Sequence, residues 1–100
     1  MSDLNCSILC APDVEEKLLD RLAIEFPDEM FTSTPTFGHG IAHGAMNPNE
    51  QVLGRARALL IQIVLTADAW HTLRGLLARD FAGTGIRYWV TAVGEAGACR

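Results

Sequence analysis

Apolar and β-branched residues cluster in four short, strand-like stretches of the chain and recur with a helical period in two others. In residues 5–11, Cys6, Ile8 and Cys10 fall on one side of an extended chain and Ser7 and Leu9 on the other, which predicts a first strand ended by Pro12. Asp13 then opens a helix, with Glu16 three places later as its capping-box partner. Val14, Leu18, Leu22 and Phe26 make its apolar stripe, Leu19 and Ala23 widen it, and Pro27-Asp28 ends it. Residues 30–34 predict a second strand that stops at Pro35, since proline has no N–H for a sheet ladder. Residues 58–65, ALLIQIVL, carry the strongest strand pattern. Thr66 caps a second helix whose buried stripe is Trp70, Leu73, Leu77 and Phe81; Gly75 lowers its propensity without overturning the pattern. After a turn at residues 82–85, the aromatic and β-branched residues 86–93 predict the last strand, followed by a small-residue tail.

The order β-α-β-β-α-β is the ferredoxin-like arrangement of the α+β class: a four-stranded antiparallel sheet with two helices on one face. Two helices leave the second face open. That face is expected to carry Leu9, Leu60, Val64, Trp89 and Val93 among Ser7, Gln62, Arg87 and Thr91. It is too apolar to stay in water, so a second copy of the same sheet is the expected cover.

Composition narrows the class. A length of 100 residues gives a single domain, residues 1–100, with a core thin enough that oligomerisation often completes it. A net charge of -4 without a basic run argues against nucleic-acid binding through phosphate neutralisation. The first five residues lack the features of a secretory signal, and the longest apolar run, residues 58–65, is broken by Gln62 and too short to cross a bilayer. The expectation is a soluble, cytoplasmic chain. Cys6 and Cys10 lie about 13 Å apart along one strand face, too far to pair, and read as small core hydrophobes. Cys99 lies in the tail.

Candidate chemistry gathers in the polar segment 35–57, which holds His39, His43 and four of the nine glycines. A loop of that length in a small domain is either functional or disordered. The strand directions bring it to the same end of the sheet as Cys10 and the Gly83-Thr84-Gly85 turn. Two imidazoles there can converge on zinc, copper or nickel, with a third ligand from Cys10, Glu50 or a neighbouring subunit; the alternative is a pair of solvated loop histidines. Gly38-x-Gly40 and Gly83-x-Gly85 can bring backbone N–H groups close to an anion, with Arg55, Arg57 and Arg87 supplying charge. The alternative is ordinary turn glycines with solvated or interface arginines. Neither turn has a Walker pattern, and Asp13, Glu15 and Glu16 would repel an anion at the first helix. Ser7 and Thr84 have no base at a recognisable spacing, Tyr88 and Trp89 suit a strand, and His71 falls off the buried stripe, so catalysis has little support.

Gly38-His39-Gly40 with His43, Gln51-Val52 followed by Gly54-Arg55, and Gly85-Ile86-Arg87-Tyr88-Trp89-Val90 occur in that order. With nearly the whole chain, about residues 5–96, they resemble the PII-like family of small trimeric proteins, and within it a branch of short bacterial members, domain-of-unknown-function family 3240. The resemblance implies a homotrimer with its sheets facing a central axis and nucleotide clefts between subunits. Residues 35–57 look like the family's long T-loop, which touches protein partners, and residues 83–85 like its glycine turn. The branch is often encoded beside heavy-metal efflux systems, which implies a membrane transporter as partner. Two departures matter. Ile86 stands where signalling PII proteins carry a lysine, which argues against a nucleotide, and the segment lacks the tyrosine that is uridylylated in many of them. The first reading is thus a non-enzymatic, trimeric regulatory protein that senses a metal ion or small anion. The alternatives are a metal buffer using His39 and His43, and a small dimeric enzyme whose sheets enclose a cavity.

Overall fold

The computed structural model describes residues 3–39 and 55–100. Its elements are β1 Asp3–Cys10, α1 Glu15–Glu25, β2 Phe31–His39, β3 Arg55–Thr66, α2 Ala67–Asp80 and β4 Arg87–Val93. The strands form one sheet in the order β2-β3-β1-β4, every neighbour antiparallel. This is the expected ferredoxin-like sandwich. Cys6, Ile8 and Cys10 of β1 and Leu59, Ile61, Ile63 and Leu65 of β3 meet Leu18 and Leu22 of α1 and Trp70, Leu73, Leu76 and Leu77 of α2. The two central strands supply the sheet's half of the core because each has a neighbour on both sides.

The helix starts differ. Thr66 caps α2 as expected, its Oγ1 accepting from the Ala69 N–H at 3.2 Å. The start of α1 is a correction: its cap is Val14, with no side-chain bond, and neither Asp13 nor a capping box closes it. Backbone carbonyls serve the first donors instead, with Val14 N donating to Ala11 O at 3.0 Å and Glu15 N to Pro12 O at 3.4 Å. The turn after Pro12 therefore takes up Asp13, and the helix begins two residues later. Leu18 and Leu22 are buried and Leu19 packs against the core, while Ala23 is exposed and outside the stripe.

The second correction concerns β2, which runs through Pro35 to His39 rather than stopping before the proline. Pro35 stands opposite Leu59, and β2 lies at the sheet edge. An edge strand uses only alternate N–H groups in its ladder, so a proline whose nitrogen faces away from β3 breaks nothing. The ladder continues to His39 opposite Arg55, so both ends of the expected loop are strand; residues 40–54 lie outside the described residues. β1 also starts earlier, at Asp3, and ends at Cys10.

The open face carries the predicted set. Leu9 lies between Leu60 and Arg87, Ser7 between Gln62 and Trp89, Asn5 between Val64 and Thr91, and Asp3 opposite Val93. Ser7 is buried beneath its neighbours, but Trp89 keeps 48% of its surface exposed.

Candidate functional site

The C-terminal ends of β1 and β2 and the N-terminal ends of β3 and β4 share one end of the sheet. A narrow cleft opens there across the end of β1. That strand and its exit contribute Cys10 and Ala11, β3 contributes Ala56 and Arg57, and the turn before β4 contributes Thr84 and Gly85, with Arg87 beside them. Sheet order explains the grouping: β1 lies between β3 and β4, so arginines 30 positions apart in sequence come to flank one strand end. Arg87 also borders a second hollow, on the open face, with Gly38 and His39 of β2 and with Trp89.

The glycine turn has a built shape. Gly83 and Gly85 take φ of 77° and 80°, the left-handed region that side chains other than glycine's rarely adopt. Thr84 locks the turn, since its N–H and its hydroxyl both donate to the Phe81 carbonyl, at 3.3 and 2.6 Å. The hydroxyl hydrogen is therefore committed to the chain. Thr84 shapes the cleft rather than offering a donor to a ligand, a role that sequence reasoning did not assign. The signal was the threonine three places after a helix-ending Phe81, a spacing that suits a side-chain-to-carbonyl turn.

The metal candidates separate. His39 is exposed at the end of β2, His71 is exposed on α2, and His43, Gly40 and Glu50 lie outside the described residues. Cys10 is only 2% exposed. Burial first, and then the charges of Glu15 and Asp13, push its thiol up to about 11, and burial does the same to Cys6. At neutral pH about one such thiol in ten thousand is ionised, so a metal bound there would itself have to displace the proton. Among the described residues, no three His, Cys, Asp or Glu side chains gather within reach of one ion.

Phe37 belongs to β2, not to the loop expected for it. It sits on β2 opposite Arg57, half exposed, and with Pro35, Arg57 and Glu15 it lines a hollow between the sheet and the start of α1. The alternation Phe31, Ser33, Pro35, Phe37 carried that placement, had it been followed through the proline.

A family model described as "Protein of unknown function (DUF3240)" matches residues 1–100. The chain belongs to this family. A DUF3240 protein of Shewanella baltica OS155, known from its crystal structure, superposes with a TM-score of 0.79 at 17% identity, covering 100% of this chain and 99% of that one. A Thermus thermophilus protein described as a PII-like signalling protein gives 0.67 at 12% identity, over 93% and 88% of the two chains. Bacillus subtilis GlnK, solved in complex with ATP, gives 0.59 at 17%, over 92% and 82%. Among curated proteins none matches. At such identities the structural likenesses show the fold, and the fold is the PII-like one expected from the sequence. Among the described residues, no helix of this DUF3240 protein is long and apolar enough to cross a membrane.

Proposed function

We propose that this DUF3240 protein is a regulatory, ligand-binding protein of the PII-like kind. In this reading it works as a cytoplasmic homotrimer and is not an enzyme. The observation that carries the proposal is the cleft at the end of β1, which Arg57 borders from the helix side of the sheet, Arg87 from the open side, and Gly85 of a turn with two left-handed glycines closes. Two guanidinium groups and a close-approaching backbone suit a small oxyanion such as phosphate. Burial of Cys10 and the left-handed glycines argue for a preformed site, and the exposed apolar sheet face argues for assembly. The GlnK structure holds ATP, which supports a phosphate-bearing ligand for the fold, but Ile86 here occupies the place of the lysine after the turn. A free phosphate therefore fits better than a nucleotide. Exposed His39, together with His43, keeps a transition metal such as zinc, copper or nickel as the second ligand class, with Cys10 the weaker third donor. Segment 35–57, with Gly38 and Gly40 at its start and Arg55 at its end, is the part assigned to a protein partner, with a heavy-metal efflux transporter as the kind of partner.

Native mass spectrometry of the protein taken from cells, followed by calorimetry with phosphate, ATP and each metal, tests the reading. A trimer that binds phosphate more tightly than ATP is expected. Binding that survives Arg57→Ala/Arg87→Ala intact would remove the cleft from consideration, and metal affinity unchanged by His39→Ala/His43→Ala would remove the histidines.

A further inference from the structure

Two residues of α1 contact the last residues before the glycine turn. Phe81, buried at the C-cap of α2, accepts both donors of Thr84 at its carbonyl. Lys17 Nζ of α1 lies over the Phe81 ring, 5.0 Å from its centroid. One residue earlier, Asp80 Oδ2 receives Arg21 Nη2, also of α1, at 2.9 Å. The remaining charges around that pair are Glu25, 3.6 Å from Arg21, and Arg79, 3.5 Å from Asp80. Lys17 and Arg21 are four residues apart and so share one face of α1. A single helix face thus holds two successive residues at the exit of α2, and the second of these holds the turn.

We infer that α1 sets the shape of the glycine turn: Lys17 and Arg21 are positioning residues that act through Phe81 and Asp80, and Thr84 is the latch. Its bearing on ligand binding rests on the anion reading given above. The physical reason is the freedom of the turn. With glycine at 83 and 85 the backbone has many alternatives to the observed conformation, and each alternative aims the turn's N–H groups elsewhere. The Thr84–Phe81 bonds select one conformation, and they do so only while the Phe81 carbonyl stays in place. The core fixes the ring of Phe81 from below, and the α1 contacts fix it and its neighbour from the side.

Full-length wild type is compared with Thr84→Val, which keeps the shape and removes the hydroxyl, and with Lys17→Ala/Arg21→Ala. Thr84→Ser and Lys17→Arg are the rescue variants, since each keeps the contact. Hydrogen exchange at the Thr84 amide, the turn N–H that donates to Phe81, is read beside that of Ile61 in the sheet centre, and phosphate affinity by calorimetry. In Thr84→Val and in the α1 double variant, turn exchange should quicken about two- to ten-fold relative to Ile61, the range one hydrogen bond contributes. Phosphate binding should weaken by a similar factor, and both rescue variants should restore it. Turn exchange unmoved in the α1 double variant overturns the inference, whatever phosphate does. If turn exchange responds as stated but wild type binds no phosphate, control of the turn from α1 stands and the anion reading falls.

Discussion

Cys6 and Cys10 show what a single side chain can reveal before and after folding. Their period-two spacing placed them on the core face of β1, where both are buried. Their ionisation depended on what packs over them, which no local pattern specifies. Each thiol is raised from about 9 to about 11. Between those values the unfolded chain has released protons that the native chain keeps. The stability from the neutral buried thiols is therefore complete below about pH 9 and is lost as pH rises through about 11. The slope is about 1.4 kcal/mol per pH unit for each thiol. Urea unfolding at pH 8 to 11 should show this fall, and Cys10→Ala should reduce its slope by about half; an equally steep fall in the variant would contradict the buried-thiol account. Glycines divide just as sharply by environment. Gly75 lies within α2 with open space where a Cβ would stand, so Gly75→Ala should stabilise by about 1 kcal/mol. Gly85 has the same open space but a φ of 80°, so Gly85→Ala should destabilise by about 1–2 kcal/mol. Chemical denaturation of the two variants reads the opposite signs.

At the level of elements, the six-element order and the two helical stripes were legible because periodicity is a local property. The two misplacements share one cause. Asp13 had the chemistry of a cap, and Pro35 that of a strand breaker, but each rule assumes an average neighbourhood. Asp13 fell inside a turn already closed by the Ala11 and Pro12 carbonyls, and Pro35 fell on an edge strand. The caps offer a direct comparison. Thr66→Ala should cost about 1 kcal/mol because its hydroxyl holds the Ala69 N–H, whereas Asp13→Ala should be nearly neutral. Equal losses in urea unfolding would restore Asp13 as a cap.

For the whole molecule, the open face decides. The register places Leu9, Leu60, Val64, Trp89 and Val93 on one side of the sheet, opposite the helices. Their burial within one chain is incomplete, with Trp89 the most exposed of the large ones. Half-covered aliphatic and aromatic surface of this kind gains roughly 25 cal/mol for each Å² removed from water. Leu60→Lys should place a charge at the middle of that surface without entering the helix-side core. If the proposed trimer forms through this face, wild type should sediment as an oligomer and the variant as a monomer, while its thermal unfolding remains cooperative. A variant that keeps an oligomeric wild-type mass would place the contact elsewhere, and a monomeric wild type would remove the proposed trimer.

Alternation and helical spacing by themselves determined the fold class, the element order, which strand residues share a face, and that one face lacked a cover. These depend on the backbone's two repeat lengths and on transfer of apolar groups from water, both of which act residue by residue. Only the tertiary structure decided that Arg57 and Arg87 flank one strand end, that Thr84 commits its hydroxyl to Phe81, and that Lys17 and Arg21 reach across to Phe81 and Asp80. Those facts arise from contacts between distant parts of the chain, and a contact's partner is fixed by how layers pack, not by the residue's own neighbours in sequence.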